Sequence, residues 1–415
     1  MTVRKFSLMA VVLSVCFQSA VFAQVKVGDI FPDWTAGYMD IHHINTGRGE
    51  CMFAILPDGT TLMIDAGETG AGSGTAYARP DESRSPGEWM SRYMLHMMRP
   101  LPEKKLDYIL LTHFHGDHMG AVQLSKKKSD KGDYMLTGVT EVGDMIPFGK
   151  IVDRNWPDYD FPRPMSNSPN MQNYIRFINC HVAGAGAKAE QFQVGSTQQF
   201  TLLKQADKYP EFEIRNLAAN GVVWTGVRDN VHNYLPPLET ISRGDFPDDN
   251  YCSAAIRISY GRFDYYNGGD LLNSHAFGTW RDIETPVGLA AGPLDVCEAN
   301  HHAANNAMGE AFLKAVRPRV IVIQAYGINL PNTATYQRML EYWKVYPGER
   351  DIFTTNLMEA NELVIGEQRT AYLKSKQGHI VVRVHPGGDR YDIYILDDTA
   401  ESFAVKAIHG TYESR

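Results

Sequence analysis

A wholly apolar run, Tyr108 to Leu111, leads without a break into Thr112-His113-Phe114-His115-Gly116-Asp117-His118. Nothing else in the chain restricts the fold so tightly. A short apolar run bounded by polar residues reads as a buried strand, and here the strand end must place three imidazoles and a carboxylate in one turn. Left unpaired in a core, such groups are costly. Imidazole nitrogen and carboxylate oxygen are the donors that borderline divalent cations such as zinc accept. The H-x-H-x-D-H spacing therefore points to a metal site built on a buried sheet.

Other segments supply the frame. Tyr38 to Ile44, Cys51 to Leu56 and Thr61 to Asp65 alternate as strands, and Pro57-Asp58-Gly59 forms the turn between the last two. Ser85, Pro86 and Glu88 make a helix start ahead of Trp89, Met90, Tyr93, Met94, Met97 and Met98 at helical spacing. Ala254 to Tyr260 and Phe263 to Asn267 pair as strands that end at Gly268-Gly269-Asp270. Beyond them the pattern predicts a strand into His301 and His302, a helix near Asn306 to Val316, a strand Val320 to Gln324, and a helix Thr333 to Tyr346. The last strands are His379 to Val384 and Tyr391 to Leu396. Strands followed by helices, twice over, suggest two αβ halves with their sheets face to face. Residues 125 to 250 show weak periodicity and read as a long insertion bearing part of a substrate pocket.

Residues 1 to 23 have the layout of a signal peptide: Arg4 and Lys5, an apolar run from Phe6 to Phe17, and a small-x-small end at Val21-Phe22-Ala23. Export to a periplasm or beyond is the expectation, and no later stretch is apolar for long enough to span a bilayer. Removal of Arg4 and Lys5 leaves 38 basic residues against 48 acidic ones, a net charge of −10. That balance disfavours nucleic acid as a partner. Lys126, Lys127, Lys128 and Lys131 read as a solvated helix end, and Cys51, Cys252 and Cys297 as small core residues.

The stretches 41–67, 108–120, 250–271 and 299–323 resemble the metallo-β-lactamase fold family, and within it the hydrolase domain of the DNA-uptake channel ComEC and the phosphorylcholine esterase of teichoic acid. The resemblance implies an α/β fold, a four-layer αββα sandwich, over residues 24–400, with residues 401–415 as a tail. It implies two divalent metal ions, zinc being the expected metal. His113 and His115 would bind one, Asp117, His118 and His302 the other, and Asp270 would bridge them. Asp65 would orient ligands from beneath, and Asn250 and His301 would support ligands or touch substrate. The third histidine usual at the first metal is missing, for Asp248-Asp249-Asn250 stands in its place. Asn250, an aspartate, water, His181 and His232 are the alternatives. His275, Trp280, Arg281 and Tyr326 are possible pocket residues.

Such a pair of cations lowers the pKa of water enough to supply hydroxide near neutral pH, with Asp117 placed to orient it. The expected reaction is hydrolysis of a phosphodiester or related ester in a small or cell-wall substrate. Lactone or cyclic amide hydrolysis is the alternative, and a non-catalytic metal-binding module is the reading from another class.

Overall fold

The computed structural model describes residues 25–72, 74–184, 186–341 and 344–415. The signal-peptide reading lies outside them. In chain order the strands are β1 (Met39–His43), β2 (Met52–Ile55), β3 (Thr61–Ile64), β4 (Leu106–Leu111), β5 (Phe148–Asp153), β6 (Lys188–Gln191), β7 (Phe212–Ala219), β8 (Val222–Trp224) and β9 (Val231–Asn233). They continue as β10 (Ala255–Tyr260), β11 (Phe263–Asn267), β12 (Val296–Glu298), β13 (Val320–Ile323), β14 (Asp351–Thr354), β15 (Leu373–Ser375), β16 (His379–Val384), β17 (Arg390–Leu396) and β18 (Val405–Glu413).

Two mixed sheets result, ordered β18-β17-β16-β1-β2-β3-β4-β5-β6 and β15-β14-β13-β12-β11-β10-β7-β8-β9. Strand alternation decides how they stack. Leu62, Ile64, Tyr108 and Leu110 face one way and meet Ile258, Tyr265, Val320 and Val322 of the other sheet in a shared core. Met63, Ile109 and Leu111 face the other way, onto Met90, Tyr93 and Met94 of the helix Pro86–Met97 and onto Val139 and Phe177 of later helices. The second sheet does the same: Ile321 and Ile323 pack outward on Phe312, Tyr336 and Met339. Strands covered on both faces lose polar alternation, which is why β4 from Tyr108 onward and all of β13 are apolar. The outcome is the four-layer αββα sandwich expected.

Ser85 caps the helix Pro86–Met97 by accepting from the Glu88 amide at 3.3 Å. Residues 125 to 250 do not stand apart as an insertion. They supply β5 and β6 to the first sheet and β7, β8 and β9 to the second. Their strands were obscured because β6 and β9 are short, solvent-facing sheet edges without an apolar face. The lysine run lies in a loop, after the 3-10 turn Val122–Leu124, not at a helix end. Residues 401–415 form no loose tail: β18 pairs with β17 as the edge of the first sheet. Two helices are shorter than their patterns predict, Glu310–Val316 and Thr333–Leu340. The cysteines Cys51, Cys180, Cys252 and Cys297 are free, and all but Cys180 are buried.

β3, β4, β5 and β6 run parallel, as do β11 to β15. Polar residues at the carboxyl ends of parallel strands share one rim, where ligands of open α/β sheets gather. Asp65 follows β3, His113 follows β4, Asp270 follows β11, His302 follows β12 and Tyr326 follows β13. Among the described residues, no helix is long and apolar enough to cross a membrane.

Candidate metal centre

The turn after β4 is held in shape by backbone pairing to the segment after β3 and to the loop before β2. Ala66 N donates to His118 O at 2.7 Å, Glu68 N to Gly116 O at 2.8 Å, and Glu50 N to Asp117 O at 2.8 Å. A side chain at Gly67 has no room, since its Cβ would stand 1.7 Å from the Asp117 carbonyl oxygen. Phe114 N, between the first two histidines, donates to Asp249 Oδ2 at 2.6 Å. Asp249 in turn pairs with the fully buried Arg154, whose Nε lies 2.9 Å from Oδ1. On the other sheet Gly269 has φ +51°, and a Cβ there would meet Thr112 Oγ1 at 2.7 Å. The glycine lets the end of β11 press against the end of β4 and deliver Asp270 into the same space.

Asp270 divides the donors between its two oxygens. Oδ1 lies 3.1 Å from His118 Nε2 and 3.3 Å from His302 Nε2. Oδ2 lies 3.6 Å from His113 Nε2 and 3.7 Å from His301 Nε2. Two ligand groups follow, each with its donor atoms within 4.8 Å of one another: His113, His115 and Asp270, and Glu50, His118, Asp270 and His302. Asp117 Oδ2 sits beside the second group, 3.4 Å from His302 Nε2 and 3.9 Å from His118 Nε2.

The outward nitrogens fix which way the lone pairs point. His118 Nδ1 lies 2.8 Å from Asp65 Oδ2, and His302 Nδ1 lies 2.9 Å from the Gln324 carbonyl. Both are acceptors, so both Nδ1 atoms carry hydrogen. Thr112 Oγ1 donates to Asp65 Oδ2 at 2.6 Å and accepts from His113 Nδ1 at 3.1 Å. Each Nε2 is thus left as a lone pair aimed inward. His113 Nε2 and Asp270 Oδ1 are buried and have no hydrogen-bond partner. A converging set of bare nitrogens and carboxylate oxygens, closed to water on one side, fits divalent cations in donor type and number.

Electrostatics agrees with that fit. Burial, followed by the neighbouring His118, pushes His113 well below the usual histidine range and keeps it neutral. Burial opposes protonation of His118 too, yet Asp270, Asp65 and Asp117 overcome it and raise its pKa well above the ordinary value. His302 is raised in the same way, chiefly by Asp270 against the cost of burial. Three carboxylates demand positive charge here, and a cation that supplies it competes with these protons. Burial also raises the Asp117 carboxyl, but His118 and His302 together outweigh it and hold the group far below the carboxylate range.

Residues expected at the site are brought together, except two proposed substitutes. His181 bonds to Tyr134 at 3.0 Å and packs on Phe177, within the layer of helices. His232 lies on the exposed β9 against Tyr234. Of the possible pocket residues, Tyr326 donates its hydroxyl to Asp117 Oδ2. Trp280 packs edge-on against Tyr251, and Arg281 pairs with Asp245 at 2.7 Å. His275 borders a separate recess of about 600 Å³, beside Asn273 and Lys314, that holds no ligand group. His301 and His302 do not alternate as on a strand end. They and Ala303 have φ of +48°, +51° and +58°, so the chain curls and both imidazoles face Asp270.

Sequence reading missed Glu50, which is buried with Oε2 3.2 Å from His302 Nδ1. Its signal was an acid two residues from an apolar strand, in Gly49-Glu50-Cys51-Met52. Burial, with Glu298 beside it, pushes its carboxyl well above the usual range.

The sequence profile of the Metallo-beta-lactamase superfamily matches residues 47–163, the stretch that carries Glu50, Asp65 and His113 to His118. The chain contains a domain of that superfamily, and its class is that of metal-dependent hydrolases. No curated protein sequence matches it. Among solved structures, human tRNase Z, short form, is similar over 68% of this chain and 91% of that one, at 11% identity and a TM-score of 0.30.

Proposed function

We propose that the protein is an exported hydrolase that holds two divalent cations, zinc by donor type, and cleaves a phosphodiester or related ester of a small or cell-wall substrate. The carrying observation is the split of Asp270, with one oxygen facing His113 and the other facing His118 and His302. His113, His115 and Asp270 would hold one ion, and Asp117, His118, His302 and Asp270 the other. Such a pair supplies water activation near neutral pH, polarises the electrophile and neutralises the leaving oxygen.

The chain's own residues do the rest. Asp117, kept ionised, holds Oδ2 beside His302 and His118 and accepts there from the Tyr326 hydroxyl, so it is placed to orient the attacking water and accept its proton. Asp65 and the Gln324 carbonyl fix the rings of His118 and His302. No serine or cysteine nucleophile is called for, and the buried thiols of Cys51, Cys252 and Cys297 are pushed up by burial, away from the reactive thiolate. The excess of 48 acidic over 40 basic residues supports a substrate other than nucleic acid.

Turnover of bis-p-nitrophenyl phosphate, compared with nitrocefin and a lactone panel, tests the reading on protein reloaded with zinc or manganese. Phosphodiester cleavage that is lost on chelation and regained on reloading is expected. Turnover of carbonyl substrates alone would replace it with lactone or amide hydrolysis. Two bound ions without any hydrolysis would leave a binding module.

A further inference from the structure

We propose that His301 completes the first cation site as its third imidazole, taking the place of the histidine that Asn250 replaces. The inference rests on the two-cation reading above. Without it that site has three protein donors, His113, His115 and the shared Asp270, which with water reach only the minimum for zinc, while the other site has four, Asp117, His118, His302 and Asp270.

Three features place His301 there. First, its Nε2 lies 3.7 Å from Asp270 Oδ2, the same oxygen that stands 3.6 Å from His113 Nε2. Second, its tautomer is set for ligation. Nδ1 lies 2.7 Å from Asn306 Oδ1, and an amide oxygen only accepts, so Nδ1 carries the hydrogen and Nε2 keeps its lone pair. That lone pair now receives the Asn250 amide NH2 at 3.1 Å, while Asn250 Oδ1 and His113 Nε2 are buried with no partner. Two imidazole nitrogens, His113 Nε2 and His301 Nε2, thus face the same carboxylate oxygen, Asp270 Oδ2, and the first has no hydrogen-bond partner. Third, the left-handed backbone at His301 and His302 lets adjacent residues reach opposite oxygens of one carboxylate, His301 at Oδ2 and His302 at Oδ1. His301 N also donates to Gly269 O at 3.0 Å, tying this turn to the one that carries Asp270.

His301 sits at the edge of the group formed by His113, His115 and Asp270, and its side chain is 22% exposed. Asn306 is the residue that keeps its ring in the right sense for ligation. Asn306 is thus a positioning residue and His301 a ligand.

The test is metal binding, read without turnover. Chelator-stripped wild type, His301→Ala and Asn306→Ala are titrated with zinc against a competing chelator, and with cobalt(II) by absorption. Wild type is expected to take up two ions. His301→Ala is expected to lose at least about 100-fold in affinity at one site, with the other within about threefold, and Asn306→Ala to lose about tenfold at that same site. Equal urea midpoints of the stripped forms show that the fold is intact, and His301→Phe, which keeps the ring but no nitrogen, replaces His301→Ala if they differ. Two ions held by the variants as tightly as by wild type overturn the proposal and leave the two-cation reading standing. Failure of the wild type itself to bind two ions overturns both.

Discussion

Replacing Asp65 with asparagine changes one atom type in a place where three hydrogens converge. Oδ1 accepts from Thr112 N at 2.8 Å, and Oδ2 accepts from Thr112 Oγ1 at 2.6 Å and His118 Nδ1 at 2.8 Å. In Asp65→Asn the oxygen is kept for the Thr112 amide, and an NH2 faces His118 Nδ1. Two donors cannot share that contact, so His118 shifts its hydrogen to Nε2, the atom aimed at Asp270 and the cation. A charge-assisted hydrogen bond is worth about 1.5–3 kcal/mol, and loss of such a ligand-orienting partner costs about 10–100-fold in metal affinity. The two scales coincide, because about 1.4 kcal/mol is tenfold. Burial raises the Asp65 carboxyl, so the amide also relieves a desolvation cost, and the stripped protein is expected to lose less stability than the hydrogen-bond count suggests, about 1–2 kcal/mol. The assay is competitive chelator titration of the His118 and His302 site, with urea unfolding of the stripped protein as control. Affinity within about threefold of wild type would refute the tautomer argument.

Three other perturbations follow from the same geometry. Gly67→Ala drives a methyl into the Asp117 carbonyl, 1.7 Å away, so loss of soluble protein or a fall in stability of more than about 3 kcal/mol is expected by thermal unfolding, and an unchanged Tm would contradict it. Arg154→Met strands the buried Asp249 that holds the Phe114 amide, so unfolding free energy at neutral pH is expected to drop by about 3–5 kcal/mol, and a loss below about 1 kcal/mol would show that the pair is not structural. Glu141 is pushed up to about 7 by burial, against a single donated hydrogen bond from Ser85. Its folded pKa exceeds the unfolded one, so its contribution is full below the unfolded value and is lost as pH rises through 7. Glu141→Gln is therefore expected to stabilise the protein at pH 8 by about 1–3 kcal/mol and to have no effect at pH 4, as read by urea midpoints.

How much of this was legible before the fold was known varied with the range of the interaction. The apolar Tyr108 to Leu111 run followed by clustered donors is local, and it located both a buried strand and the His113 to His118 turn. Gly268-Gly269-Asp270 gained meaning only beside that cluster, because the glycines serve a contact with Thr112, far off in sequence. Glu50 left only the faint signal of an acid close to an apolar strand, and Arg154 left none. A lone acid or base shows no pattern, and their roles come from packing against His302 and Asp249, reached across the two sheets and their loops. His301 was seen, but its direction was not, since the left-handed curl at 301 to 303 is imposed by tertiary contact and carries no glycine or asparagine to announce it. Between 125 and 250, short solvent-facing edge strands hid the continuation of both sheets.

The central claim, that one carboxylate spans two cations, is most directly tested by the metal content of purified wild type and Asp270→Ala measured by plasma mass spectrometry. Close to two ions per chain in the wild type and fewer than about one in the variant are expected, since both groups of imidazoles lose their shared oxygen donor. Retention of two ions by Asp270→Ala would contradict the account.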